Sequence, residues 1–370
     1  MQAAPALPVR GTDARAYRIP TEVPEADGTL SWTDTTLVVV RVDAGETTGL
    51  GYTYADAACA DFIERVLAAV IAGRDALDVP AAWAAMRSAV RNQGRPGLAG
   101  CAISAVETAL WDAAARAHGS ALCRLFGRAH QSVPVYGSGG FTTYDPRQSE
   151  AQLRRWVEEL GVGAVKIKIG EDRGTAVRRD LERVARARST VGEDVAVFVD
   201  ANGGYGTKQA VRVGAELDGL GVSWFEEPVS SDDLDGLCRV RDRVGADVAA
   251  GEYGYDLPYF ADMLAAGAVD CLQVDVTRCG GFSAWFRACA VAAAANMDVS
   301  AHCAQNLSAH AAAATPNTRH LEWFRDHERI EETFFAGALR VTDGAVRPDI
   351  SAPGHGMEFK DADAAEFRVA

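Results

Sequence analysis

Six acidic or imidazole residues recur at nearly even intervals in the second half of this 370-residue chain. Asp200 ends VAVFVD, Glu226 lies in WFEEP and Glu252 ends VAAGE; Asp275 ends LQVD, His302 ends VSAH and Glu322 follows in RHLEW. The steps are 26, 26, 23, 27 and 20 residues, each close to one strand–helix unit, and polar groups at the C-terminal ends of successive barrel strands converge on one mouth. Three carboxylates at one point repel unless a cation lies among them. Oxygen donors with positions left open for substrate suit Mg²⁺. Asp200, Glu226 and Glu252 are therefore expected to hold one Mg²⁺. Glu227 adjoins Glu226 but points elsewhere on a strand; the sequence leaves open which of the two is the ligand. Asn202, two residues past Asp200, is expected either to hydrogen-bond a ligand or to make the turn in ANGGY.

Two further positions carry proton chemistry. Lys166 and Lys168 in AVKIKIG share one face of a strand, while Ile167 and Ile169 share the other. In a closed barrel the lysines point inward, where a nearby cation lowers a lysine's pKa and makes it a base; the other lysine then suits a substrate carboxylate. Asp275 and His302 fall on neighbouring strand ends. A carboxylate bonded to one imidazole nitrogen fixes the tautomer and raises basicity at the other. The remaining histidines lack such placement, and His310, His320 and His327 are expected on helices or at the surface.

These residues need a scaffold. Val- and Thr-rich alternation over Thr33–Asp43 predicts a strand, Gly45 a turn and Thr48–Tyr54 its hairpin partner. Helical patterns follow at about 56–72, 79–90 and 100–117, the last closed by Gly119. From Val133 short apolar strands alternate with helices: Val133–Tyr136, Ala164–Ile169, Val195–Asp200, Val222–Glu226, Val248–Glu252, Val269–Asp275 and Asp298–His302. This rhythm calls for parallel strands joined by right-handed crossovers, and seven or eight units suit a closed barrel. An open doubly wound sheet is the competing arrangement, but no GxGxxG follows the first strand. The expected division is an α+β capping domain over 1–130, a barrel over 131–335, and a tail over 336–370 that returns to the cap. A hairpin is expected in that tail, Ala338–Val341 with Ala345–Arg347.

Composition sets bounds. The formal net charge of -14 disfavours nucleic acid and requires a locally positive site for any anionic substrate. No apolar run approaches a membrane span, and Met1–Arg10 lacks the long apolar stretch expected of a secretory signal. The eight cysteines are scattered, with no CxxC pair, and read as free thiols of a cytoplasmic protein.

The ordered set resembles the enolase superfamily, specifically its mandelate racemase-like subgroup, over nearly the whole chain. Ala102–Gly119 (AISAVETALWDAAARAHG) resembles the helix leading into such barrels. Lys166–Lys168 resembles the subgroup's KxK motif, which implies Lys168 as the base. DAN at Asp200–Asn202, EEP at Glu226–Pro228 and Glu252 match the magnesium ligands. Asp275 and His302 match its Asp–His dyad, and Glu322, preceded by SAHAAAATP, matches the acid that hydrogen-bonds the developing enediolate. The dyad points away from muconate-lactonising and dipeptide-epimerase relatives, and the KxK away from enolase itself. The resemblance implies a modified TIM barrel, (β/α)7β, behind an N-terminal α+β cap, and commonly a homo-oligomer. It implies a Mg²⁺-dependent lyase that dehydrates a sugar acid to a 2-keto-3-deoxy acid, with racemisation or epimerisation of a 2-hydroxy acid as the alternative. The segments Tyr17–Ser31 and Gly51–Asp56 correspond in position to specificity loops, which makes Tyr17, Tyr52 and Tyr54 candidates for substrate contact.

Overall fold

The computed structural model describes residues 6–370. The cap is built on an antiparallel sheet of β1 (Val9–Ala26), β2 (Ser31–Ala44) and β3 (Thr47–Tyr54), in that order. The expected hairpin forms, pairing Leu37 with Tyr54 and Ala44 with Thr47, and Gly45 takes φ +60° at its turn. The 18-residue β1 is a strand that local pattern does not announce, because Pro20 and Pro24 interrupt it. Both prolines are tolerated on an edge strand, where a missing N–H costs no ladder bond, and the register slips between Pro20 and Glu25.

Helices follow near the expected places, including Val79–Ala89 and Leu98–Ala117; the expected helix at 56–72 forms in three pieces around a π turn at Ile63–Leu67. Leu98–Ala117 is long and apolar enough to cross a membrane, yet 89% of its apolar window is buried inside the protein. β3 lies directly on it. A Cβ added at Gly49 would stand 2.0 Å from the Ala109 carbonyl oxygen, and one at Gly51 2.2 Å from that of Ala105. Glycine is required there by backbone approach.

Eight parallel strands form the barrel: β4 (Val133–Gly139), β5 (Ala164–Lys168), β6 (Ala196–Asp200), β7 (Val222–Glu226), β8 (Asp247–Ala250), β9 (Cys271–Val274), β10 (Val299–Ala301) and β11 (Thr318–Phe324). β11 pairs with β4 and closes the ring. Seven helical crossovers join the eight strands, so the fold is a modified TIM barrel behind an α+β cap. β11 escapes the pattern of apolar strands because it opens with Thr318, Arg319 and His320. Inside the barrel Tyr136, Phe198, Trp224, Ala249 and Cys271 form a separate apolar cluster, with His320 packed edge-on to Tyr136 and Trp224. His320 thus belongs to the barrel floor, not the surface.

The tail departs from expectation. Ala338–Val341 is not a strand. β13 (Ala345–Val346) pairs instead with Val133 and Pro134 of β4, and β12 (Phe335–Ala336) pairs with β14 (Glu358–Phe359); all that remains of the expected hairpin is a bridge between Thr342 and Ala345. Arg116 Nη1 donates to Glu358 at 2.5 Å and the Val369 N–H to the Ala16 carbonyl at 2.8 Å.

Candidate active site

Strand register places the chemistry. Lys168 on β5 is level with Asp200 on β6, which is level with Glu226 on β7. One layer below, Lys166, Phe198 and Trp224 are level, so the aromatic cluster is the floor under the charged layer. Ile167 and Ile169 face out into the main core, as alternation requires. Glu252 follows β8, Asp275 follows β9, His302 follows β10 and Glu322 lies on β11. Seven neighbouring strands, β5 to β11, thus each present a candidate residue at one mouth.

One oxygen from each of Asp200, Glu226 and Glu252 lies within 4.8 Å of the others. All three side chains are buried. Lys166 Nζ is 2.5 Å from Glu226 Oε1, 2.8 Å from Glu322 Oε1 and 3.9 Å from Asp200 Oδ2; Lys168 is bonded to Asp200. Burial, reinforced by Asp200 and Glu322 and only partly offset by Lys166, pushes Glu226 up to about 7. Glu227 is raised well above the carboxylate range by burial and by Glu252, Asp200 and Glu226. Carboxylates that resist ionisation together are short of positive charge. Glu252 Oε2, Glu227 Oε1 and the Asn202 carbonyl oxygen are also buried without hydrogen-bond partners. Crowded acids, oxygen-only donors and partnerless oxygens fit Mg²⁺. The three clustered atoms include Glu226 and not Glu227.

On the far side of the triad, Asp275 Oδ2 is 2.8 Å from His302 Nδ1. Asp275 Oδ1 accepts from the backbone N–H and the hydroxyl of Thr277, both at 2.7 Å, which fixes the carboxylate. Nε2 of His302 then faces the cleft, 3.3 Å from Glu252 Oε2 and 3.6 Å from Glu322 Oε2. Burial opposes the imidazolium, but Cys303, Glu252, Glu322 and Asp275 raise His302 well above its usual range. Burial likewise opposes Glu322, and Lys166 and His302 hold it well below its own.

The site opens into a cleft of about 690 Å³ between barrel and cap, whose walls include Leu30, Tyr54, Lys168, Asn202, His302 and Glu322. Tyr54 reaches it. Its ring stacks on His327 at 3.4 Å, and its hydroxyl donates to Glu331 at 3.1 Å. Tyr52 sits behind, donating to the same carboxylate at 2.8 Å. Tyr17 does not line the cleft: it is level with Leu37 and Tyr54 but on the opposite edge strand of the cap sheet, where it packs 5.0 Å from Phe359 of the tail. His310 and His327 lie on helices, Gln305–Ala313 and Arg325–Phe334, as expected, and both are buried, accepting backbone N–H bonds from Cys123 and Ala304.

Several residues at the site are not among those read from the sequence. Trp224 Nε1 donates to Glu226 Oε2 at 2.9 Å, and Ser138 Oγ to Glu322 Oε1 at 2.6 Å. Arg278 Nη1 lies 3.3 Å from Glu252 Oε1 and its Nε 3.5 Å from Asp275 Oδ2. Two of these could have been suspected: Trp224 lies two residues before Glu226, Arg278 three after Asp275.

Residues 13–127 match the mandelate racemase / muconate lactonizing enzyme N-terminal domain, and 148–364 the enolase C-terminal domain-like family. A 3,6-anhydro-alpha-L-galactonate cycloisomerase of Streptomyces coelicolor is 33% identical over 348 residues, 92% of this chain and 94% of that one. A D-galactarolactone cycloisomerase of Agrobacterium fabrum is 31% identical, over 90% and 91% of the two chains. The structure of a mandelate racemase/muconate lactonizing enzyme-like protein from Rubrobacter xylanophilus superposes with TM-score 0.94 at 45% identity, covering 98% and 99%. A Streptomyces coelicolor racemase solved with magnesium gives 0.91 at 31%, covering 98% and 100%. With both domain types in order, a Mg²⁺-fitting carboxylate triad and its flanking lysines and Asp–His pair, this chain belongs to the mandelate racemase/muconate lactonizing branch of the enolase superfamily.

Proposed function

We propose that this enzyme removes the proton α to the carboxylate of a sugar acid and expels an oxygen leaving group from the β-carbon. The observation that carries the reading is the placing of two proton-transfer groups on either side of the carboxylate triad: Lys168 on β5 and His302 after β10, with Asp200, Glu226 and Glu252 on the strands between. Asp200, Glu226 and Glu252 would hold the Mg²⁺, which would supply Lewis-acid polarisation of the substrate carboxylate. Lys168, aimed at the substrate by its pairing with Asp200 on the neighbouring strand, takes the α-proton in its neutral form. Lys166, clamped by Glu226 and Glu322, stays charged and steadies the substrate carboxylate. Glu322 hydrogen-bonds the enediolate oxygen. His302, oriented by Asp275, gives its proton to the departing oxygen as the β C–O bond breaks; the resulting enol becomes a 2-keto acid. Asn202 and Glu227 support the ligands, and Tyr54 borders the distal substrate.

Loss of a hydroxyl makes the reaction a dehydration, as in the named activity of an arabinonate dehydratase 29% identical to this chain. Loss of a ring oxygen would open an anhydro sugar or a lactone, and the two cycloisomerase relatives keep that leaving group in view. Racemisation of a 2-hydroxy acid is the second reading, favoured by the same two-sided placing of Lys168 and His302. A panel of aldonic and aldaric acids, their lactones and anhydro forms, assayed with Mg²⁺ for 2-keto acid and for deuterium uptake, separates these outcomes. Inversion at C2 with deuterium uptake and no keto acid would overturn elimination.

We also take 1–130, 131–335 and 336–370 as cap, barrel and tail units, the eight free cysteines as belonging to a cytoplasmic enzyme, and the active form as a homo-oligomer. Light scattering at assay concentration tests the last, and a monomer would refute it.

A further inference from the structure

The cleft holds a second donor set of different chemistry beside the oxygen triad. We propose that His302 Nε2, Cys303 Sγ and Glu322 Oε2 form an inhibitory site for a borderline or soft divalent cation of the Zn²⁺ class. The three atoms lie within 4.8 Å of one another. Their separations are 3.5 Å from Nε2 to Sγ, 3.4 Å from Sγ to Oε2 and 3.6 Å from Nε2 to Oε2. Tetrahedral Zn²⁺ with ordinary bond lengths places N and S about 3.6 Å apart, S and O about 3.6 Å, and N and O about 3.4 Å. The site is thus formed to within about 0.2 Å before any ion enters.

Its surroundings are those of a ligand set. Asp275 holds Nδ1 of His302 at 2.8 Å and so aims Nε2 outward, the carboxylate–histidine–metal arrangement. Cys303 sits at φ +46°, and its carbonyl accepts from Ser308 Oγ at 2.7 Å, which holds the backbone that carries the thiol. Three protein donors leave the fourth tetrahedral position to water or substrate, since Glu252, whose Oε2 lies 3.3 Å from His302 Nε2, belongs to the Mg²⁺ triad. Sulfur and imidazole select Zn²⁺ and its neighbours, whereas the oxygen triad suits Mg²⁺. On ligation the Cys303 thiol passes its proton to buffer. Inhibition, which rests on the roles proposed above for His302 and Glu322, follows because the ion occupies Nε2 and one Glu322 oxygen.

Co²⁺ reports the site directly, since cobalt bound to thiolate absorbs in the near ultraviolet. Mg²⁺-saturated enzyme titrated with Co²⁺ should develop this band at one equivalent, and Cys303→Ala should lack it. No band in the wild type, or an equal band in Cys303→Ala arising at the half-exposed Cys238, overturns the site. The spectrum needs no turnover, so it stands or falls apart from the catalytic assignment. In parallel, the Zn²⁺ concentration that halves activity at saturating Mg²⁺ should rise at least about tenfold in Cys303→Ala. An equal concentration in both overturns the inhibitory role and assigns Zn²⁺ to the carboxylate triad.

Discussion

Gly28 joins the cap to the catalytic mouth, and Gly28→Ala tests whether that junction sets substrate affinity. The β1–β2 turn lies on the ends of β5 and β6, one residue from Lys168 and Asp200. A Cβ at Gly28 would stand 2.6 Å from the Ala201 carbonyl oxygen, 2.7 Å from that of Ile169 and 2.9 Å from that of Gly170. All three are backbone atoms and cannot turn aside. Ordinary contact begins near 3.4 Å, so the turn must lift by about 0.5–0.8 Å. It is tied down by the Arg173 N–H to the Gly28 carbonyl at 2.9 Å, by the Thr142 N–H to that of Ala26 at 2.8 Å, and by Asp27 Oδ1, which accepts from the Leu30 N–H at 2.8 Å. Overpacking of this kind costs about 1–3 kcal/mol. The cost falls on the docked loop, which carries Asp27 and Leu30 along the cleft, and leaves Lys168 and His302 in place. KM should therefore rise about 5- to 150-fold while kcat changes less than about threefold. Steady-state kinetics on the best acid of the panel measures both, with thermal melting to confirm folding. A fall in kcat at constant KM, or no change in either, would refute the reasoning.

Two further outcomes follow from buried carboxylates. Burial raises Glu331 to about 7 despite hydrogen bonds from Asn306, Tyr52 and Tyr54; its folded pKa exceeds the ordinary 4.5, so its stabilising contribution is complete below pH 4.5 and is lost as pH rises through about 7. Relative to Glu331→Gln, wild-type unfolding free energy should fall by about 3 kcal/mol across that window, and a pH-independent difference between the two denaturation curves would contradict it. Asp200→Asn and Glu252→Gln should each weaken Mg²⁺ by more than about 100-fold in calorimetry; unchanged affinity in both would remove the triad from the metal site.

What the sequence discloses, and what it hides, divides by the range of the interaction. Asp200, Glu226 and Glu252 are legible because each ends or closely follows a short apolar strand, and the lysine pair because alternation sends both inward. Ser138 is not legible: its partner Glu322 is 184 residues away, and only closure of β11 on β4 joins them. Edge strand β1 is hidden by its prolines and takes its form from pairing with β2. The short strands β13 and β14 pair with the distant β4 and β12 rather than with an adjacent hairpin partner, so no local turn signal could place them. Of the histidines expected on helices or at the surface, His310 and His327 are on helices and His320 is on β11, and burial, the largest influence on each, lowers all three pKa values, to about 4, 3 and 3. A neutral imidazole satisfied by a backbone N–H or a serine hydroxyl is easily buried.

Proton exchange at the α-carbon measures the central claim most directly. A turned-over sugar acid is incubated in D₂O with Mg²⁺ and wild-type, Lys168→Ala or His302→Asn enzyme, and recovered substrate and product are read by NMR and mass spectrometry. Lys168→Ala should lose α-proton removal and 2-keto acid formation together, by about 10²-fold or more. His302→Asn should lose product formation by a similar factor while Lys168 still exchanges the α-proton of recovered substrate. Normal exchange and turnover in both variants would contradict the assignment.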